Sequence, residues 1–253
     1  YTTDMRKGAR AGSVTMHDRL ARGRVMSQPI ERFGVISGMI ETADNLARDY
    51  QISREECDEY AAMSHQRAAA AWAAGKFDDE LVPVPVKQKK GDPILFAKDE
   101  GVRPDATPES LGQLRPIEKG GVVTAGNASQ QNDAATTRQA AGCDPSRMGI
   151  GPVPAVERLF ARTGMSWDDI DLVELNEAFA PQVLAVLRGW GWDDRDRLNV
   201  NGSGISLGHP IGATGGRILA NLLRELDRRK GRYGLETMCI GGGQGIAAVF
   251  ERP

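Results

Sequence analysis

The stretch DLVELNEAFAPQVLAVLRG, residues 171–189, decides the fold. Its first five residues, Asp171 to Leu175, read as a short strand. Ala180 to Gly189 reads as a helix with Pro181 in its first turn, where the missing backbone N–H has no helical partner to lose. A strand that hands over to a helix in so few residues is the unit of a layered α/β protein. The turn between them, NEAFA, sits where such folds present functional side chains, at the carboxyl end of a strand. Two readings of Asn176 stand at this point. It fixes a water or a carbonyl, or it only caps the helix, with Glu177 as an acidic first-turn partner of the helix dipole.

Outward from this unit the alternation continues. Val153 to Arg162 predicts a helix closed at Gly164. Beyond residue 189 come LNV, a glycine-rich turn, a helix presenting Ile218, Leu219, Leu222, Leu223 and Leu226 on one face, the strand ETMCI, a second glycine turn and the strand IAAVFER. Towards the start, Ile40 to Lys76 predicts a helical hairpin, with Ser53 and Glu56 as a capping box and Gly75 as terminator. Leu81 to Gly121 opens on alternating VPVPV and turns polar and proline-rich, an excursion over the surface of something larger.

Composition excludes several function classes. The 253 residues are 40% hydrophobic and 26% charged, enough for a substantial core. A net charge of -2 gives no basic excess for a phosphate backbone, so nucleic acid is not expected as a ligand. Cys57, Cys143 and Cys239 lie far apart with no CxxC pair, which suggests neither a disulfide framework nor a zinc site and fits a reducing, cytoplasmic compartment. No apolar run approaches the roughly 20 residues that span a bilayer, so no membrane is expected. The chain begins with Tyr1 rather than Met, and the expectation is a fragment of a longer protein.

Two glycine-rich stretches carry chemistry. In NGSGISLGHPIGATGG, residues 201–216, six glycines and Pro210 deliver the His209 imidazole to a fixed point just before a helix. A helix N-terminus would lower its pKa and favour a neutral ring able to take a proton from a thiol. In CIGGGQG, residues 239–245, a thiol at a strand end lies beside exposed backbone N–H groups, which would hold an oxyanion and lower the thiol's pKa. The plainer readings are a glycine turn with an incidental histidine and a strand–turn–strand hairpin with a filler cysteine. TAGNAS, residues 124–129, lets a ligand approach backbone closely but decides nothing alone.

In this order, TAGNAS, MGIGPVPA, NEAFA, GHPIGATGG and CIGGGQG resemble the thiolase family, the enzymes that make or cleave 3-oxoacyl-coenzyme A. YTTDMRKGARAG and GMIETADNLARDYQISREECDEYA also look like the loop domain that covers coenzyme A in thiolases. The resemblance implies the layered α-β-α-β-α thiolase fold. Residues 1–131 would be the loop domain, 132–141 a remnant of the N-terminal domain and 142–253 the C-terminal domain.

By the same resemblance, His209 would activate the acyl-accepting nucleophile and donate to the thioester oxygen. Asn176 would hold the water completing that oxyanion hole, and Cys239 would be the general acid/base. The backbone N–H of Gly241 would help form a second oxyanion hole. Ser129 and Ala125 would touch the pantetheine arm, and Met39 and Phe179 would line its tunnel. Coenzyme A and acyl-CoA are implied as substrates, with no further cofactor and no metal, in a homodimer or homotetramer. Two departures stand out. The family's nucleophilic cysteine lies in its N-terminal half, and neither Cys57, in a capped helix amid charges, nor Cys143, in the GCDPSRMGIGP linker, supplies it. NDAATTRQAAGCDP is also too short for the helix and strand thiolases place there, so residues are expected to be missing between Asp133 and Gly142. The competing reading is a truncated, non-catalytic thiolase-like protein that binds coenzyme A or a thiolase partner.

Overall fold

The computed structural model describes residues 30–33, 38–135 and 141–252. The motif at residues 1–12 and part of the short span after Asp133 lie outside the described residues.

The expected helical hairpin is α1, Met39–Asp49, and α2, Arg54–Ala73. Ser53 caps α2 as its spacing predicts. Its hydroxyl accepts from the Glu56 N–H at 3.1 Å, and the Glu56 carboxylate accepts from the Ser53 N–H at 2.8 Å. Alanines Ala61, Ala62, Ala68 and Ala71 line the buried side of α2 and let neighbouring chain approach closely. After it, β1, Val84–Val86, and β2, Ile94–Phe96, form a two-stranded antiparallel hairpin whose residues are all exposed, the surface excursion the sequence implies. A short helix, α3, Pro108–Gly112, interrupts the stretch that reads as strands and turns. Thr107 caps it by accepting from the Ser110 N–H at 3.1 Å, and Leu111 is its buried anchor.

The main sheet has the order β4-β8-β7-β5. Strands β4, Ala141–Gly142, β8, Gln244–Glu251, and β7, Tyr233–Ile240, pair antiparallel, and β5, Leu172–Leu175, joins β7 in parallel. The sheet is covered on both faces, as its strand pattern requires. Helix α4, Pro152–Thr163, and the mostly apolar α5, Ala180–Trp190, share one core cluster with Val173, Leu175 and Leu235. That cluster extends without a break into Leu46 of α1 and Tyr60 and Ala61 of α2. On the opposite face Leu222 and Leu226 of α7, Thr214–Arg229, meet Leu172. Gly234 sits under them because a Cβ there would lie 2.8 Å from both leucines. LNV is no strand. Leu198 makes a single bridge to Val173. A second, two-stranded parallel pair joins β3, Gln131–Ala135, to β6, His209–Gly212.

A buried charge cluster fastens α2 to α7. The Glu225 carboxylate, 3% exposed, accepts from Lys76 Nζ at 3.1 Å, Asn201 Nδ2 at 3.0 Å and Arg229 Nε at 2.9 Å. Burial alone would raise its pKa, but the Asn201, Arg229 and Lys76 donors outweigh it and hold it at about 2. The folded value lies below the unfolded one, so the contribution is complete above the ordinary 4.5 and is lost as pH falls from there towards 2. The paired carboxylate contributes about 3 kcal/mol near neutrality. Urea unfolding at pH 5 and pH 3 is expected to show a smaller loss of stability between the two pH values for Glu225→Gln than for wild type. Equal losses would remove Glu225 from the acid sensitivity.

Candidate active site

Backbone hydrogen bonds zip the sequence motifs together. The Ser129 N–H donates to Ala178 O at 3.0 Å and the Ala180 N–H to Asn127 O at 2.9 Å, which lays TAGNAS along NEAFA. The His209 N–H donates to Gln130 O at 3.1 Å, and the Asn176 N–H donates to Thr237 O at 3.0 Å, two residues before Cys239. All four motifs therefore meet at the carboxyl ends of the parallel strands β5 and β7, where an α/β sheet exposes side chains.

Asn176 does not cap the helix. Helix α5 begins at Ala180 with Phe179 in the capping position. The Asn176 side chain is fully buried, and neither its oxygen nor its nitrogen has a hydrogen-bond partner. Leaving a buried amide unpaired costs about 1–3 kcal/mol.

His209 lies on the short strand β6, His209–Gly212, rather than in a loop, two residues beyond the single helical turn α6, Gly204–Leu207. Its Nδ1 is 2.6 Å from the Thr214 hydroxyl, and that hydroxyl donates its one proton to Pro210 O at 2.9 Å. The hydroxyl therefore accepts from Nδ1–H, which leaves Nε2 with a free lone pair. The histidine pKa is depressed to about 4, first by burial and then by the Arg217 guanidinium, rather than by the helix end the sequence suggested. The ring is a neutral base at physiological pH.

Cys239 is the penultimate residue of β7, opposite Gly245, and the glycines do form a hairpin turn. The thiol is 9% exposed and clusters with Met148 and Ala178, with Met39, Phe179 and Cys143 packed around them. The expected lowering of its pKa is reversed. Burial pushes it up to about 12, Cys143 adds to the rise, and a backbone hydrogen bond only partly offsets it. Cys239 thus rests as a protonated thiol. Gly241 is exposed in the turn, and nothing stands within 4 Å of where a side chain would start, so its backbone is open to a ligand.

Of the residues expected to line the pantetheine tunnel, Met39 and Phe179 join the Cys239 cluster, and of those expected to touch the arm, Ser129 is pinned beside it. Ala125 is exposed in the Thr124–Asn127 turn, outside that cluster. A cavity of about 690 Å³ between α1 and Glu118–Val122 contains none of these residues. Cys57 is fully buried in the main core and is pushed up to about 12 by burial and by Asp58 and Glu56, which removes it as a nucleophile. Cys143 is half-buried, and burial with Asp144 pushes it up to about 11. Sequence reasoning missed Thr214 as the histidine's partner, although a hydroxyl five residues on, in the first turn of the following helix, was a usable signal.

Gly204 holds the two halves of the site together. A Cβ at that position would lie 2.6 Å from Glu177 O and 2.8 Å from Asn176 Oδ1. Gly204→Ala is expected to lower stability by about 1–3 kcal/mol through overpacking. In the full-length protein it is also expected to reduce turnover more than substrate affinity. Unchanged melting and turnover would show that the contact relaxes freely.

A neutral imidazole, a buried protonated thiol and a buried unpaired amide are the kinds of group that acid/base chemistry at a carbonyl uses. The family model described as "Thiolase, N-terminal domain" matches residues 1–138, and "Thiolase, C-terminal domain" matches residues 130–252. An acetyl-CoA acetyltransferase of Chromobacterium violaceum is 49% identical over 235 residues, covering 84% of this chain and 60% of the relative. A beta-ketothiolase of Cupriavidus necator is 47% identical over 271 residues, covering 98% of this chain and 67% of the relative. Human mitochondrial 3-ketoacyl-CoA thiolase superimposes with a TM-score of 0.86 at 43% identity, over 99% of this chain and 68% of that one. The chain belongs to the thiolase family, and its fold is the thiolase fold. It spans about three fifths to two thirds of the length of these relatives. The Cupriavidus alignment runs over 271 positions against 253 residues here, so that relative holds residues inside the matched span that this chain lacks.

Proposed function

We propose that the protein to which these residues belong is an acyl-CoA C-acyltransferase. It condenses acetyl-CoA with an acyl-CoA, or cleaves a 3-oxoacyl-CoA with coenzyme A, through an acyl-cysteine whose nucleophile lies outside residues 1–253. His209 Nε2 takes the nucleophile's proton, and the thiolate attacks the thioester carbonyl. The Nε2–H so formed then donates to a thioester oxygen, with a water on Asn176 as second donor. Cys239 gives its proton to the departing coenzyme A thiolate and becomes a thiolate itself. In condensation that thiolate removes the α-proton of acetyl-CoA, and its raised pKa makes it the stronger base for the task. The Gly241 N–H stabilises the oxyanion of the acyl-enzyme carbonyl.

The observation that carries this reading is the Asn176 amide, fully buried and unpartnered on both atoms beside the turn that leads to His209. The coenzyme A contacts, the assembly and the setting complete the proposal. Residues 1–131 act as a loop domain over coenzyme A, with Ser129, Ala125, Met39 and Phe179 along the pantetheine arm. A human relative has been crystallised in complex with CoA, which supports a coenzyme A ligand. The protein works as a homodimer or homotetramer in the cytoplasm, in fatty acid metabolism. All three cysteines are unpaired, which supports the reducing setting, and among the described residues no helix is long and apolar enough to cross a membrane. The test is acetyl-CoA formation from acetoacetyl-CoA and coenzyme A by the full-length protein. Turnover supports the assignment, and its absence supports the non-catalytic, ligand-binding alternative.

A further inference from the structure

Glu177 follows Asn176 directly, is fully buried, and has no part in the chemistry above. Four donors meet its two carboxylate oxygens. The Tyr60 hydroxyl at 3.0 Å and Asn199 Nδ2 at 3.1 Å bond Oε1. The Ser64 hydroxyl at 2.6 Å and the Ile205 backbone N–H at 3.1 Å bond Oε2. None belongs to α5, so Glu177 is not the first-turn dipole partner that its place in the sequence suggests.

The donors come from three separate parts of the chain. Tyr60 and Ser64 lie one turn apart on α2, the helix packed over the site. Asn199 also clamps the end of β5, accepting from the Leu175 N–H at 2.9 Å and donating to Leu175 O at 2.8 Å. Ile205 lies in α6, four residues before His209. One carboxylate therefore bonds the helix over the site, the residue that clamps the strand end before Asn176, and the turn that leads to His209. A buried carboxylate is costly beside an apolar side chain of similar volume, so it is retained for what its hydrogen bonds fix.

We propose that Glu177 is a positioning residue that sets the separation of the Asn176 amide and the His209 imidazole, with α2 as the fixed reference. The proposal rests on the thiolase reading of the site. Under that reading the amide's water and the imidazole must converge on one thioester oxygen, and an ångström of drift costs about 100-fold in rate.

The test is a double-mutant cycle in the full-length enzyme, with kcat and KM measured for acetoacetyl-CoA thiolysis. Glu177→Gln is expected to lower kcat about 100-fold and to leave KM within about twofold. In an Asn176→Ala background the same replacement is expected to cost only a few-fold, because the amide it positions is gone. Tyr60→Phe removes one donor while keeping the carboxylate, and is expected to lower kcat about fivefold with the same loss of effect in the Asn176→Ala background. It reads the same coupling should Glu177→Gln fail to fold. An active wild type whose variants lose melting temperature alone, or whose losses add in full to that of Asn176→Ala, overturns the positioning role. A wild type without turnover overturns the functional reading and this proposal with it.

Discussion

Replacing Cys239 by serine in the full-length protein is expected to lower turnover by about 10³-fold while leaving the first acyl transfer measurable. The two steps separate because different groups serve them. In the proposed cycle acylation starts with proton transfer to His209 Nε2, whose lone pair the Nδ1–Thr214 contact leaves bare. Completion of the cycle needs a group that gives up a proton to one thiolate and takes one from the next substrate. The buried Cys239 thiol suits it, because it is protonated at rest and strongly basic once ionised. A serine hydroxyl fits the same space but is far less acidic, so it cannot make the exchange near neutrality. Turnover of Cys239→Ser within a few-fold of wild type would remove Cys239 from the acid/base role.

The second large effect falls on His209. His209→Ala is expected to lower acylation by about 10³-fold, since both the base and one oxyanion donor disappear. The wild-type pH profile carries its own signature. With the imidazole at about 4 instead of 6.5, the neutral base persists through mildly acidic solution, and the acid limb due to His209 falls only as pH approaches 4. Stability runs the other way. The folded value lies below the unfolded one, so the unfolded chain binds more protons between pH 6.5 and 4, and the fold weakens across that window as pH falls. Acylation rates by stopped flow from pH 7.5 to 4.5 check the prediction. A half-maximal point near 6.5 that is absent from His209→Ala would show an imidazole open to solvent.

Much of this site is legible in one dimension because its chemistry lies at element junctions that glycine and proline mark. Asn176 follows a strand, His209 begins one and Cys239 lies next to the end of one, with Gly208 and Pro210 beside His209 and three glycines from Gly241 just beyond Cys239. What could not be read is what depends on a third partner. Glu177 gives no sign in the sequence that Tyr60 and Ser64, more than a hundred residues earlier, will bond its carboxylate. Cys143 reads as part of a linker, yet the pairing of β4 with β8 brings it against the Cys239 cluster. The thiol's pKa fails as an expectation for the same reason. Local sequence displays the N–H groups that lower it but not the packing of Met148 and its neighbours that raises it further. The fold was more open to reading than the energetics, since periodicity and capping are local signals and burial is not.

The most direct test of the central claim is to find where the acyl group goes. In the proposed cycle residues 1–253 supply the acid/base and oxyanion groups, and the nucleophile lies elsewhere in the protein. The full-length Cys239→Ser protein should be incubated with acetyl-CoA, quenched in acid, digested, and mapped for the 42 Da acetyl increment by mass spectrometry, where the figure is roughly the mass of an added ketene unit and the trapped species is a thioester on the nucleophile. The account predicts one acetylated cysteine outside residues 1–253, with Cys57 and Cys143 unmodified. An acetyl group on Cys143 would place the nucleophile inside this chain and contradict the account.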